Sequence, residues 1–214
     1  MNLEEILVQV QVQLGNGADP IDWEDDEIVA QIRMANLAIL NWAVANNTAW
    51  RELQVDKILG EIEAGENAWK VPANVRKIEK VYLGSGAIRA QKPYSVLQAQ
   101  NAKGGFYLEG NAKKGRKLKL IQEIAQDNPI IGEEVAIVGV KSPDLLKNPE
   151  DMPELADPTY IVDYICAMVS TDDDLNKYSI FSTNYAQKLD AMIAENNQDQ
   201  EDNYLNDSDW MIGE

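Results

Sequence analysis

The feature that most constrains this chain is a change of hydrophobic period: helical at both ends, short and glycine-punctuated in the middle. Residues 2–14 set Leu3, Ile6, Leu7, Val10 and Leu14 at helical spacing, with Glu4 and Glu5 near the positive end of the helix dipole. Val8, Val10 and Val12 also alternate, which leaves a strand as the second reading before Gly15-Asn16-Gly17 breaks the segment. A longer helix is predicted over roughly 24–45, opened by Glu24, Asp25, Asp26 and Glu27 and faced by Ile28, Ile32, Ala35, Ile39 and Trp42. Val29, Leu37, Leu40 and Val44 widen that face, so this helix is expected to pack on more than one side, in a bundle or between subunits. Asn46-Asn47-Thr48 stops it, and Trp50 and Leu53 belong to a short following turn.

From about Ile58, Gly60, Gly65, Gly84, Gly86, Gly104, Gly105, Gly110, Gly115 and Gly132 separate short runs rich in β-branched and aromatic residues. Strands are predicted at 68–71, 78–83, 94–100, 105–109, 117–122 and 134–140, as in a small antiparallel sandwich or barrel. Gly84-Ser85-Gly86 and Lys103-Gly104-Gly105 read as hairpin loops. Four prolines between Ser142 and Pro158 mark a stiff surface connection. Asp157-Pro158 then begins a helix faced by Tyr160, Ile161, Tyr164, Ile165 and Met168. Ser170-Thr171-Asp172 restarts the chain into a last helix to about Asn196, with Leu175, Tyr178, Phe181, Tyr185, Leu189, Met192 and Ile193.

Together these elements predict an α+β fold: a helical bundle from N- and C-terminal helices, an inserted small antiparallel β module, and a disordered or extended acidic C-terminal tail. The expected segments are bundle helices over 1–57, a basic β module over 58–141, a Pro-rich connection over 142–157, bundle helices over 158–195 and the tail over 196–214.

Charge follows the same division. Twelve of the nineteen Lys and Arg residues, but only Glu79 and Glu109 of the 36 acidic ones, lie between Lys70 and Lys119. That segment carries +10 and the remainder −27, within a net charge of −17. Such a split speaks to association rather than to fold. Its densest cluster, Lys113, Lys114, Arg116, Lys117 and Lys119, lies near Phe106 and Tyr107. Three readings stay open for it: a nucleic-acid strand, an acidic protein surface (a neighbouring copy included), or solvent alone. From Glu195 to Glu214 there are seven acidic residues and no basic one, a composition too polar to order itself, yet among its last residues are Trp210-Met211-Ile212. Plain disorder and ordering on a partner, with Trp210 as anchor, both fit.

The chain has no histidine, which excludes Ser-His-Asp and Cys-His catalysis and imidazole zinc sites. No catalytic, metal or cofactor residues are predicted. Cys166 is alone, so no intrachain disulfide forms; it reads as a small buried hydrophobe from a reducing compartment. No signal-peptide layout follows Met1 and no uninterrupted apolar run nears the roughly 20 residues of a bilayer span, so a soluble protein with no membrane partner is expected. Gly84-Ser85-Gly86-Ala87-Ile88 loosely resembles a nucleotide loop, but Pro93 follows where a helix would be needed. Asp22 to Glu27 lacks the spacing of a calcium loop, and it and Asp172-Asp173-Asp174 read as charged first turns of helices.

Three stretches taken together resemble the head-to-tail connector (adaptor) proteins of tailed bacteriophages, the short-tailed type above all. They are Asn36-Leu37-Ala38-Ile39-Leu40-Asn41-Trp42 with Trp50-Arg51-Glu52-Leu53; Trp69-Lys70-Val71-Pro72-Ala73-Asn74-Val75-Arg76-Lys77-Ile78-Glu79-Lys80-Val81; and Asp157-Pro158-Thr159-Tyr160-Ile161-Val162-Asp163-Tyr164-Ile165 leading to Tyr178, Phe181 and Tyr185. The likeness spans roughly residues 20–195 and implies a non-enzymatic homo-oligomeric ring of about twelve subunits. Its implied partners are the portal protein, a downstream tail (nozzle or hub) protein, and double-stranded DNA passing through without sequence-specific binding. The implied location is the virion's head–tail interface, after synthesis in the host cytoplasm. Related connectors also send a C-terminal extension along the portal, which would give Trp210, Met211 and Ile212 a docking role. Read from the residues alone, the alternative is a nucleic-acid-binding protein that uses the basic β module.

Overall fold

A computed structural model of the chain describes residues 1–17, 20–46, 50–65, 67–84, 95, 105–111, 115–121, 124–127, 129–171 and 174–208, with backbone alone from 199 onward. The fold is mixed α+β and divides into two compact units, Met1–Glu52 with Pro143–Glu214, and Leu53–Ser142.

The first unit is helical. Helix α1 (Leu3–Leu14) opens with a capping box in which Asn2 and Glu5 satisfy each other's backbone N–H, and it closes on Gly15 at φ 92°. The helical reading of this segment therefore stands over the strand. Helix α2 (Asp26–Ala45) is capped by Asp25, whose Oδ1 accepts from Glu27 N at 2.7 Å. Helix α3 (Thr159–Ser170) begins where Asp157 Oδ1 accepts from Thr159 N at 2.9 Å, and helix α4 runs Leu175–Ser208.

Helix α3 is the hub, packed against α1, α2 and α4. Tyr160, Ile161, Val162, Ile165, Cys166 and Ala167 are buried around most of its circumference, as a helix apolar nearly all round must be. Leu3, Ile6, Leu7 and Val10 come from α1, and Ile28, Ala35, Ala38, Ile39 and Trp42 from α2. By length and composition α2 also qualifies as a bilayer-crossing helix, because its apolar side chains offset the Asn36 and Asn41 interruptions. In the fold its Ile28–Trp42 face is buried within the helical unit.

Among the described residues, the second unit holds two antiparallel three-stranded sheets. Strands β1 (Gln54–Glu61), β6 (Glu134–Lys141) and β3 (Val75–Leu83) form one in the order β1-β6-β3. Strands β2 (Ala68–Val71), β5 (Gly115–Leu120) and β4 (Phe106–Asn111) form the other in the order β2-β5-β4. Their inner faces share one core containing Trp69, Val71, Phe106, Leu118 and Leu120 from one sheet and Val75, Val81, Val135 and Ile137 from the other. Edge strand β3 carries two register shifts, which place Arg76 beside Lys77 and Glu79 beside Lys80 as exposed pairs. Charges and bulges on an edge discourage pairing with foreign strands. The matching adjustment on the central strand is Gly139, where a Cβ would lie 2.2 Å from Lys77 O.

Several expectations are corrected. Strand β1 was not anticipated: Asp56 and Lys57 interrupt its apolar residues, and a register shift between Ile58 and Gly60 breaks its alternation. The β unit consequently opens at Leu53 rather than at 58. The Pro-rich connection is no mere surface strap, since it buries Leu146 and Leu155 and is tied down by Asn36, which exchanges two hydrogen bonds with Leu146 (2.9 and 2.8 Å). Helix α4 continues to Ser208, past the expected stop near Asn196. The proposed strand over 94–100, apart from Ser95, and the loops Gly84-Ser85-Gly86 and Lys103-Gly104-Gly105, apart from Gly84 and Gly105, lie outside the described residues, as do Asp172 and Asp173.

Candidate interaction surfaces

Strand alternation divides the predicted basic cluster. In β5, Leu118 and Leu120 point into the core, so Arg116 shares their side and Lys117 and Lys119 take the other. Arg116 donates through Nη1 to Arg76 O at 3.2 Å, clipping one sheet to the backbone of the other. That is a structural task. Lys113 and Lys114, in the connection between β4 and β5, lie outside the described residues.

On the outer face, register places Lys117 between Lys70 of β2 and Glu109 of β4, and Lys119 between Ala68 and Tyr107. Glu109 reaches diagonally to Lys119 at 3.2 Å, and that hydrogen bond, with the carboxylate's charge, holds the Lys119 ammonium pKa above its ordinary value. Lys70 and Lys117 are both exposed and directly opposed, a like-charge cross-strand pair that costs stability. The result is a patch of three lysines, one tyrosine and one glutamate. Sequence reasoning missed Lys70 as a member, although the buried partners Trp69 and Leu118 fix the register that brings it there. Arg76, Lys77 and Lys80 stand on the other sheet, with Lys77 paired to Glu79 at 3.0 Å.

The helical unit offers a different surface. Opposite its buried face, α2 exposes Leu37 (51%), Leu40 (43%) and Val44 (65%) at spacings of one helical turn. No described residue of the helical unit covers this stripe.

Near the end of α2 the last helix is latched. Asn196 Oδ1 accepts from Arg51 N at 2.9 Å, and Asn197 Oδ1 accepts from Asn46 Nδ2 at 3.3 Å. Trp50 stacks on Trp42 at 4.9 Å and donates to Trp42 O at 2.8 Å, beside a cavity of about 20 Å³ whose walls include Asn196. Higher up, Lys188 of α4 pairs at 2.5 Å with Asp163 of α3, alongside the mutually packed rings of Tyr160, Tyr164 and Tyr185. These contacts hold α4 to the helical unit as far as Asn197: two asparagines that read as tail serve as backbone and side-chain partners. Trp210, Met211 and Ile212 lie outside the described residues.

Among the described residues no cluster of three or more His, Cys, Asp or Glu is placed to hold a metal ion. Comparison with known proteins adds no relative: no family model matches the chain, and no curated protein is significantly similar to it.

Proposed function

We propose that this chain is a non-enzymatic head-to-tail connector (adaptor) of a tailed bacteriophage, forming a ring of about twelve subunits between portal and tail through which double-stranded DNA passes. The observation that carries the reading is the exposed Leu37–Leu40–Val44 stripe on a helix already packed on its opposite side. A contiguous apolar stripe of this kind calls for a partner, and neighbouring subunits of a ring supply one at every position. The helical unit interrupted by a β unit agrees with the connector-like order of elements in the sequence. In this reading the helices act as a bundle that lines the ring, and the net charge of −17 keeps the channel from gripping phosphate. The segment beyond Gln198, ending in Trp210, Met211 and Ile212, docks on the portal; the Lys70–Lys117–Lys119 face meets an acidic neighbour or the nozzle or hub below.

The test is co-expression with the portal protein of the same virion, followed by size measurement, with the full chain and with a chain ending at Gln198. A ring seated on the portal is expected for the full chain. Equal portal binding by the shortened chain removes the tail-docking part; absence of any ring on the portal removes the whole reading.

A second reading, nucleic-acid binding through the β unit, is favoured by one observation, the directly opposed Lys70 and Lys117 on the face where Tyr107 stands beside Lys119. It requires DNA or RNA affinity that falls steeply with salt and is lost on changing Lys70, Lys117 and Lys119 to Glu.

A further inference from the structure

Two helices of the helical unit carry exposed faces of one pattern. On α2 the apolar stripe is preceded, one turn before Leu37, by exposed Arg33, so that the face reads Arg33, Leu37, Leu40 and Val44 at steps of four, three and four residues. On α4, Ser179, Thr183, Ala186 and Asp190 are exposed at the same steps. Each series keeps within about 60° of one helix face and runs about 16 Å along the axis.

The two faces complement each other in shape. The leucines protrude, whereas Ala186 and Thr183 are short and let a second helix approach closely. Thr183 Oγ1 already donates to Ser179 O of its own helix at 2.8 Å, so covering it strands no hydroxyl proton. Ile180, 59% exposed, borders Ser179 and adds apolar surface at that end.

Charge then fixes the direction. Laid antiparallel, Arg33 meets Asp190, Leu37 meets Ala186, Leu40 meets Thr183, and Val44 meets Ser179 with Ile180. Laid parallel, Asp190 falls against Val44 and Arg33 against Ser179, which leaves both charges without a partner. Among the described residues, neither the Arg33 guanidinium nor the Asp190 carboxylate has an ion pair or a side-chain hydrogen bond within the chain.

We propose that the occupant of the α2 stripe is the Ser179–Asp190 face of α4 in a second copy of this chain, packed antiparallel with Arg33 paired to Asp190. The inference rests on the connector reading only in taking the stripe as a contact between copies. The two faces differ and every copy carries both, so the contact is head-to-tail, the kind that closes into a ring or runs on as a filament. Burial of the leucines drives it, and the ion pair sets direction more than strength.

Cysteine cross-linking tests the register, since the native Cys166 is buried. Full-length copies carrying Leu37→Cys, mixed with copies carrying Ala186→Cys, should form a disulfide under mild oxidation, which needs Cα atoms within about 7 Å. Neither variant should link to itself. Arg33→Glu should weaken assembly at least about tenfold, read as self-association of the free chain and as ring formation on the co-expressed portal. Adding Asp190→Arg to that chain should restore assembly; adding Glu4→Arg, which returns the same net charge on an exposed face of α1, should not. Leu37→Cys copies that link to one another, no link in the mixture, or equal rescue by Glu4→Arg each overturn the proposal. A ring on the portal without the mixed link removes this contact and leaves the connector reading. The mixed link without a ring on the portal removes the connector reading and leaves the contact.

Discussion

Cys166 shows what burial does to a titrating group that has no chemistry to perform. Its Sγ sits against Val10 O at 4.0 Å in the α1–α3 contact, and burial, then the nearby Asp163 carboxylate, push the thiol up to about 12. In the unfolded chain the same thiol ionises near 8.5. The neutral form is thus the folded form: its contribution is complete below about pH 8.5 and declines as pH rises toward 12, by about 1.4 kcal/mol per unit. Tyr160, whose pKa burial also raises, acts with the same sign at higher pH. Urea unfolding of the wild-type and Cys166→Ala chains between pH 8 and 10.5 should converge as pH rises, and the native thiol should resist thiol reagents at pH 8 until the chain unfolds.

A second residue-scale prediction concerns Asp163, whose side chain is 4% exposed and whose charge is balanced by Lys188 at 2.5 Å. Lys188→Met strands that carboxylate. The expected loss is about 2–3 kcal/mol, at or below the lower end for a buried pair because Lys188 is itself 31% exposed. Asp163→Leu combined with Lys188→Met should restore most of it, measured by urea midpoint at unchanged m-value.

At the scale of elements, α4 is fastened to the helical unit at Asn196 and Asn197, in a stretch that composition assigns to the tail. A chain ending at Gln198 keeps both latches and should melt with the full chain, whereas one ending at Glu195 loses the acceptors for Arg51 N and Asn46 Nδ2. The shorter chain should be less stable by about 1–3 kcal/mol, the cost of hydrogen bonds withdrawn from a part-buried site. The contrast also measures what was legible in advance. Segments whose apolar residues keep one period, α2, β2 and β6, could be read nearly to the residue, while α1, whose Val8, Val10 and Val12 also alternate, could be bounded but left a strand open. Strand β1 could not, because a bulge shifts its inward side chains out of alternation. The latch could not either, since nothing in Glu195-Asn196-Asn197-Gln198 distinguishes an asparagine that caps a distant backbone from one in solvent. The basic cluster was legible as charge but not as a surface: only the Trp69–Leu118 register shows that Arg116 leaves it and Lys70 joins it.

For the whole molecule, the charge split and the apolar stripe predict opposite responses to one variable. Copies that carry −17 each repel at low ionic strength, and at about 0.15 M salt the Debye length shrinks to about 8 Å. Association through Leu37, Leu40 and Val44 is apolar and gains as that repulsion is screened. Binding of an anionic polymer through Lys70, Lys117 and Lys119 releases counterions and loses affinity over the same range. Sedimentation velocity from 0.05 to 0.5 M NaCl should therefore show larger assemblies at higher salt if the stripe is the subunit contact. Leu40→Glu, an exposed position, should abolish this growth while leaving the melting temperature within about 2–4 °C. Assembly that weakens with salt, or that survives Leu40→Glu and Leu37→Glu together, would mean that the stripe is not the subunit contact and that the basic face joins the copies instead.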